Sequence, residues 1–275
     1  MNHEFTVAGP IQVRATVRSS DLVVTAAEPG TATVRLESSR DAAERGAFAA
    51  GTVVELTGSV LHIETRLPRF FSRGATCIYV AVPPGSSLQV GTGSGDITCT
   101  APLTRASVRT GSGNVSLAEA AEVEVTAGSG DVQVAWLGTG RITTGSGDVA
   151  VGTVGESLST RTGSGDVTVD VASHLTATSG SGSVSVDRAN GAVAARTASG
   201  DVNVWRAEAG ELELRATSGN VSVAVVRGAA VLLDCTTISG RMRSSLESAT
   251  EPLPDEQRLE LRLGTVSGDI QISRA

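Results

Sequence analysis

Lysine is absent: all 22 basic residues of this 275-residue chain are arginine, set against 29 acidic ones for a net charge of −7. A general nucleic-acid binder needs a concentrated basic surface to neutralise phosphates, which this balance excludes. Aromatics are scarce at 3 %, although 40 % of the chain is hydrophobic. A thick globular core draws on large rings, so the interior must be thin. Three cysteines, Cys77, Cys99 and Cys235, are an odd number and offer no disulfide framework. No run of about 18 apolar residues is available to span a membrane. Residues 1–5 show neither the basic nor the apolar region of a secretory leader. The expected compartment is the cytoplasm.

Glycine, by contrast, is abundant at 32 residues, and it recurs in register. Aligned on serine, the motif Ser94-Gly95-Asp96 returns at Ser112, Ser129, Ser146, Ser164, Ser181, Ser199, Ser218, Ser239 and Ser267. The spacings are 18, 17, 17, 18, 17, 18, 19, 21 and 28 residues, the signature of stacked structural repeats. Three and five positions after the serine the residues are apolar, as in Val149 and Val151 or Val167 and Val169, with a polar residue such as Thr168 between them. That alternation is the period of a half-buried strand. A second strand precedes the serine, with an inward column that includes Val108, Val125, Ile142, Thr160 and Leu214, then a column of small residues such as Thr144 and Thr162.

Neither strand can bury its face alone, so the rungs must stack about 4.8 Å apart around a slim Val/Thr core. The predicted fold is all-β: a parallel β-solenoid with two short strands per 17–18-residue rung. We read one domain over 1–275, regular over 86–275 and irregular over 1–85. In the irregular part Ser20-Asp21-Leu22 marks a degenerate rung, while Val54, Leu56, Leu61 and Ile63 fit another and Ile78, Val80 and Val82 a further strand. Insertions fall at residues 40–50, where a short helical turn fits, and at 66–74 and 245–257. At the turn itself, glycine is expected to supply positive φ, and Ser and Asp to hydrogen-bond backbone amides.

Candidate chemistry is thin. A calcium site needs six to eight oxygens, and the Asp column is interrupted by Asn114, Ser183, Asn220 and Arg241. His3, His62 and His174 are too scattered for a metal site or a triad, and no nucleophile has a distinctive motif around it. No metal, no cofactor and no enzymatic activity are expected. The arginines of the column three before the serine, among them Arg109, Arg161, Arg196 and Arg215, can reach the Asp turn or line a solvated face. Two segments stand out as contact surfaces. Arg66, Arg69, Phe70, Phe71 and Arg73 combine aromatics and guanidinium groups in an insertion, the composition of interface hot spots. The last rung, with Leu261, Leu263, Ile270 and Ile272, has no capping element after it and forms an expected self-association edge.

The run Thr-Gly-Ser-Gly-Asp-Val-x-Val at residues 144–151 and 162–169, with Phe5-x-Val7-x-Gly9-Pro10 and the strand at 80–85, resembles the bacterial putative-adhesin β-strand-repeat family, also called the toastrack domain. The resemblance covers nearly the whole chain. It implies a non-enzymatic role tied to cell-envelope stress systems of the Lia and phage-shock type, commonly behind a membrane helix that this sequence does not show. The leading expectation is a structural or protein-interaction solenoid with a protein partner and a homo-oligomeric state. The alternatives are a self-assembling scaffold resembling bactofilins and a calcium- or carbohydrate-binding surface module.

Overall fold

The computed structural model describes residues 1–38, 42–66, 76–246 and 257–275, and nearly all of its regular structure is strand. The chain divides into two compact units, Met1–Ala135 and Trp136–Ala275. Among the described residues no helix is long and apolar enough to cross a membrane.

The first unit begins with β1 (Asn2–Thr6), β2 (Gln12–Val17), β3 (Asp21–Ala26) and β4 (Thr31–Ser38). The expected helical turn is α1 (Ala42–Ala50), which buries Phe48. There follow β5 (Thr52–Thr57), β6 (Val60–Thr65), β7 (Thr76–Val82), β8 (Ser87–Thr92), β9 (Ile97–Thr110) and β10 (Val115–Ala127). The degenerate rung is real. β2 and β3 lie parallel to β8 and β9, with Ala15 opposite Val90 and Leu22 opposite Ile97. The other side of that rung is taken by β6 and β7, again parallel, with Val13 opposite Leu61 and Leu22 opposite Ile78. Val54 and Leu56 do not share a parallel rung with Leu61 and Ile63, contrary to the sequence reading. They lie on β5, which folds back antiparallel on β6 across Gly58, at φ +60°. With β4 antiparallel to β7 and β1 antiparallel to β4, the stack of this unit ends in strands of reversed direction.

β11 (Val132–Thr144) spans the unit boundary. The second unit continues with β12 (Val149–Thr162), β13 (Val167–Ser179), β14 (Val184–Thr197), β15 (Val202–Ala207), β16 (Gly210–Ala216) and β17 (Val221–Val225). It ends with β18 (Ala229–Ser239), β19 (Met242–Ser244), β20 (Gln257–Ser267) and β21 (Ile270–Arg274). From β12 to β17 each rung pairs parallel with the next in chain order. After that, chain order and spatial order part. β20 pairs with β16 on one side and β18 on the other, and β21 likewise lies between β17 and β19.

The last rung in sequence is therefore interior, which overturns the expected self-association edge. Leu261, Leu263, Ile270 and Ile272 are 0 %, 3 %, 0 % and 1 % exposed, because β18 and β19 cover them. Among the described residues β18 and β19 pair only with β20 and β21, so they form the free edge at this end of the unit.

Inward columns match the reading from sequence: Val167 and Val169 are buried while Thr168 between them is exposed. A further inward column of the second unit, Val154, Ala172, Ala189 and Ala207, is buried from rung to rung at the corner away from the Ser-Gly-Asp turn. There the strand runs on through a bulge instead of breaking into a loop, as between Ala172 and His174.

The turn glycines are not there for positive φ. Among the described residues only Gly30, Gly58, Gly85, Gly210 and Gly228 have it, none of them in a Ser-Gly-Asp motif. Stacking imposes the requirement instead. A Cβ on Gly165, Gly182, Gly200 or Gly219 would strike the carbonyl oxygen of the glycine one rung below, closer than 3.0 Å. The same contact runs from Gly268 to Gly219 and from Gly240 to Gly268, which repeats the altered rung order at the end of the unit.

Candidate functional site

The acidic column works as a ladder. In the first unit Asp21 Oδ1 accepts the Asp96 N–H at 3.0 Å, and Asp96 Oδ1 accepts that of Asn114 at 2.8 Å. Asn114 Oδ1 then accepts the Asp131 N–H at 3.0 Å. In the second unit the series runs from Asp148 to Asp166 to Ser183 to Asp201, over 2.8, 2.7 and 3.2 Å. It continues from Asp201 to Asn220, to Asp269 and to Arg241, over 2.7, 2.9 and 2.8 Å. The Asn and Ser positions that interrupt the acidic column are thus equivalent acceptors. Arg241, whose side chain has no acceptor, stands on the outermost rung among the described residues. Beneath the ladder a buried hydroxyl column serves the same turns: Thr162 Oγ1 accepts the Gly165 N–H at 3.0 Å and donates to the Gly147 carbonyl at 3.3 Å. Among the described residues no three His, Cys, Asp or Glu gather as a metal would require.

Several surface arginines pair with glutamates of neighbouring rungs. Arg105 lies 3.1 Å from Glu122, Arg196 is 2.6 Å from Glu213, and Arg262 is 2.6 Å from Glu211. The Arg196 hydrogen bond, helped by the charges of Arg196, Arg215 and Arg262, holds the Glu213 carboxyl below its usual range. Such exposed pairs add little stability. Burial pushes the Cys99 thiol up to about 11, so it is an inert core residue.

A polar groove of about 750 Å³ crosses the outer face of the first unit. Arg14, Gln89 and Ser107 form one row across β2, β8 and β9, and Thr16, Gly91 and Arg109 the next. His62, Glu64 and Glu55 rise on the side of β5 and β6. Arg66 stands at the groove, 2.7 Å from Glu64. It is the one member of the expected aromatic–arginine surface that is described; Arg69, Phe70, Phe71 and Arg73 lie outside the described residues.

The free edge of the second unit is different in kind. Leu232, Ile238 and Met242 are 67 %, 78 % and 56 % exposed, and Val266 beside Ile238 is 45 % exposed. On β18 the inward residues Val231, Leu233 and Cys235 lie over the buried Leu259, Leu261 and Leu263. Sequence reasoning missed this surface because it assigned the end to the wrong rung. The available signals were Arg241 in an acceptor column, and Ile238 and Val266 where earlier rungs carry Gly163 or Gly180.

The described geometry defines a class: parallel rungs, glycine-stacked turns and a ladder of side-chain acceptors make a β-solenoid. The model of the Toastrack (DUF4097) family matches over residues 11–189 and again over 122–273, and the chain belongs to that family. No curated protein matches it. Among solved structures, a putative adhesin from Bacteroides fragilis is 12 % identical, with a TM-score of 0.42, over 99 % of this chain and 96 % of its own. A putative lipid binding protein from Parabacteroides distasonis is 16 % identical, with a TM-score of 0.41, again over 99 % and 96 %.

Proposed function

We propose that this Toastrack solenoid is a non-enzymatic structural and protein-interaction module whose contact surface is the β18–β19 edge. One observation carries the reading. Among the described residues the outermost rung of the second unit keeps a free backbone edge and exposes Leu232, Ile238 and Met242, where the rung beneath carries Glu260, the part-exposed Val266 and the buried Ile270. An unpaired edge flanked by apolar side chains is a template for an added strand. The setting we assign, from the family resemblance, is cell-envelope stress. End-to-end growth of the bactofilin kind is disfavoured at this edge, because Arg241 gives an incoming parallel rung no acceptor for its turn amide. A calcium role for the Asp turns is disfavoured too, since their carboxylates already serve neighbouring amides.

The test is amide exchange along β18, recorded against protein concentration and against a labelled peptide of residues 229–239. Protection that grows with either one supports the reading. Exchange unchanged by both refutes it.

A further inference from the structure

We infer that the partner of this edge is a second copy of the chain, joined by antiparallel pairing of two β18 strands about Cys235. The inference rests on the interaction reading above and adds the identity and register of the partner.

The chemistry of the turn decides the direction of the added strand. Throughout the second unit a parallel neighbour receives, at each Ser-Gly-Asp turn, a side-chain acceptor for its amide. At the edge that position is Arg241, a cation with donors only. A parallel copy would set an amide against a guanidinium group. An antiparallel copy carries its own turn to the far end of the strand, so the two Arg241 side chains stay apart and no acceptor is missing. Two-fold pairing also closes the assembly, since each edge is consumed by the other.

The side chains decide the register. Leu232, Asp234, Thr236 and Ile238 point outward on β18, while Val231, Leu233, Cys235 and Thr237 point toward the core. A register that keeps outward facing outward and sets Leu232 opposite Ile238 of the other copy has to centre on Cys235. Leu232 and Ile238, 67 % and 78 % exposed, are the most exposed large hydrophobic residues of the second unit. In this register each covers the other twice, and Val266, beside Ile238 on β20, joins the same cluster. Asp234 faces Thr236, a hydrogen-bonding pair with no like charge opposed. On the inner side Leu233 faces Thr237, so the two thin cores become continuous across the axis. Cys235, half-buried at the axis, meets its own symmetry mate.

The experiment uses the full chain, with Cys77→Ser to remove the other partly exposed thiol. Mass is read by light scattering at tens of micromolar, and a disulfide-forming oxidant, copper phenanthroline, is applied at mildly alkaline pH, since directly opposed cysteines lie at disulfide distance. The expected result is a dimer, with most of the chain cross-linked through Cys235. Leu232→Lys with Ile238→Lys should yield a folded monomer that does not cross-link and keeps the parent's circular dichroism spectrum, because both side chains are exposed in the single copy. A dimer that resists cross-linking at Cys235, or that survives the double lysine variant, overturns the proposed register and interface. A monomeric parent that still takes up the 229–239 peptide overturns the self-pairing and leaves the interaction surface standing. A monomer that takes up neither overturns both.

Discussion

Replacing Gly182 by alanine should unfold the second unit far more readily than any count of lost contacts on that residue suggests. The new Cβ would overlap the carbonyl oxygen and carbon of Gly165, inside the 3.0 Å that real Cβ atoms respect. Both atoms are backbone, so no side chain can swing away. Relief requires the two rungs to part by about 1 Å in a stack spaced at ~4.8 Å. The bonds that cross this point are short: Ser183 N–H to Asp166 Oδ1 at 2.7 Å, Val167 N–H to the Ser183 carbonyl at 2.9 Å, and Ser181 N–H to the Gly163 carbonyl at 3.1 Å. Losing three such bonds, at about 1 kcal/mol net each, costs ~3 kcal/mol. For a chain of this size that lowers Tm by roughly 6–12 °C. The control is Gly46 in α1, where an added Cβ meets nothing within 4 Å. Gly46→Ala should raise stability by about 0.5–1 kcal/mol, the helix preference for alanine. Thermal melts in one buffer compare the two. A Gly182→Ala protein that melts within 2 °C of wild type would refute the stacking argument, as would an equal loss at both sites.

Val167 is buried and Thr168 exposed; Val167→Asp should therefore cost several kcal/mol and Thr168→Asp almost nothing, with equal melting temperatures contradicting the column. Thr160 Oγ1 is buried without a hydrogen-bond partner, beside Ala177 of the next rung. Thr160→Val should stabilise by about 1 kcal/mol, and a lower Tm would refute it. Cys99 should resist thiol reagents in the native protein at pH 8, since burial raises its thiol to about 11 from an ordinary 9.0. Between those values the unfolded chain has lost the proton and the native chain has kept it, so stability falls as pH rises through that window. Cys99→Ala should flatten that slope in pH-dependent denaturation, and an unchanged slope would count against the assignment.

The repeat was legible because its two determinants are local. The Ser-Gly-Asp spacing marks each turn, and alternation such as Val167-Thr168-Val169 marks each face. The order of the rungs was not legible, and the reason is physical. Every rung presents nearly the same Val and Thr columns, so Leu212 on β16 fits Leu261 on β20 as well as any successor in chain order. Only features outside the columns carry order, and Arg241 was one of them. The role of the turn glycine was also hidden, since positive φ and close stacking both select glycine at Gly182. The corner column escaped because Ala172 and Ala189 are too small to register as core. At Gly58 a tight reversal turned an expected rung into the β5–β6 hairpin. Of the site, Arg66 was found at the groove, but Leu232 and Ile238 were overlooked once the edge had been assigned to Leu261, Leu263, Ile270 and Ile272.

The central claim is the order of the last rungs, and residue-resolved hydrogen exchange tests it most directly. In the Leu232→Lys, Ile238→Lys protein, amides of β20 and β21 around Leu261, Leu263, Ile270 and Ile272 should be among the slowest, because strands flank them on both sides. Those of β18 and β19 should exchange much faster, as expected of a free edge. The reverse pattern, with β20–β21 fast and β18–β19 protected, would return the edge to the last rung in sequence and contradict the account.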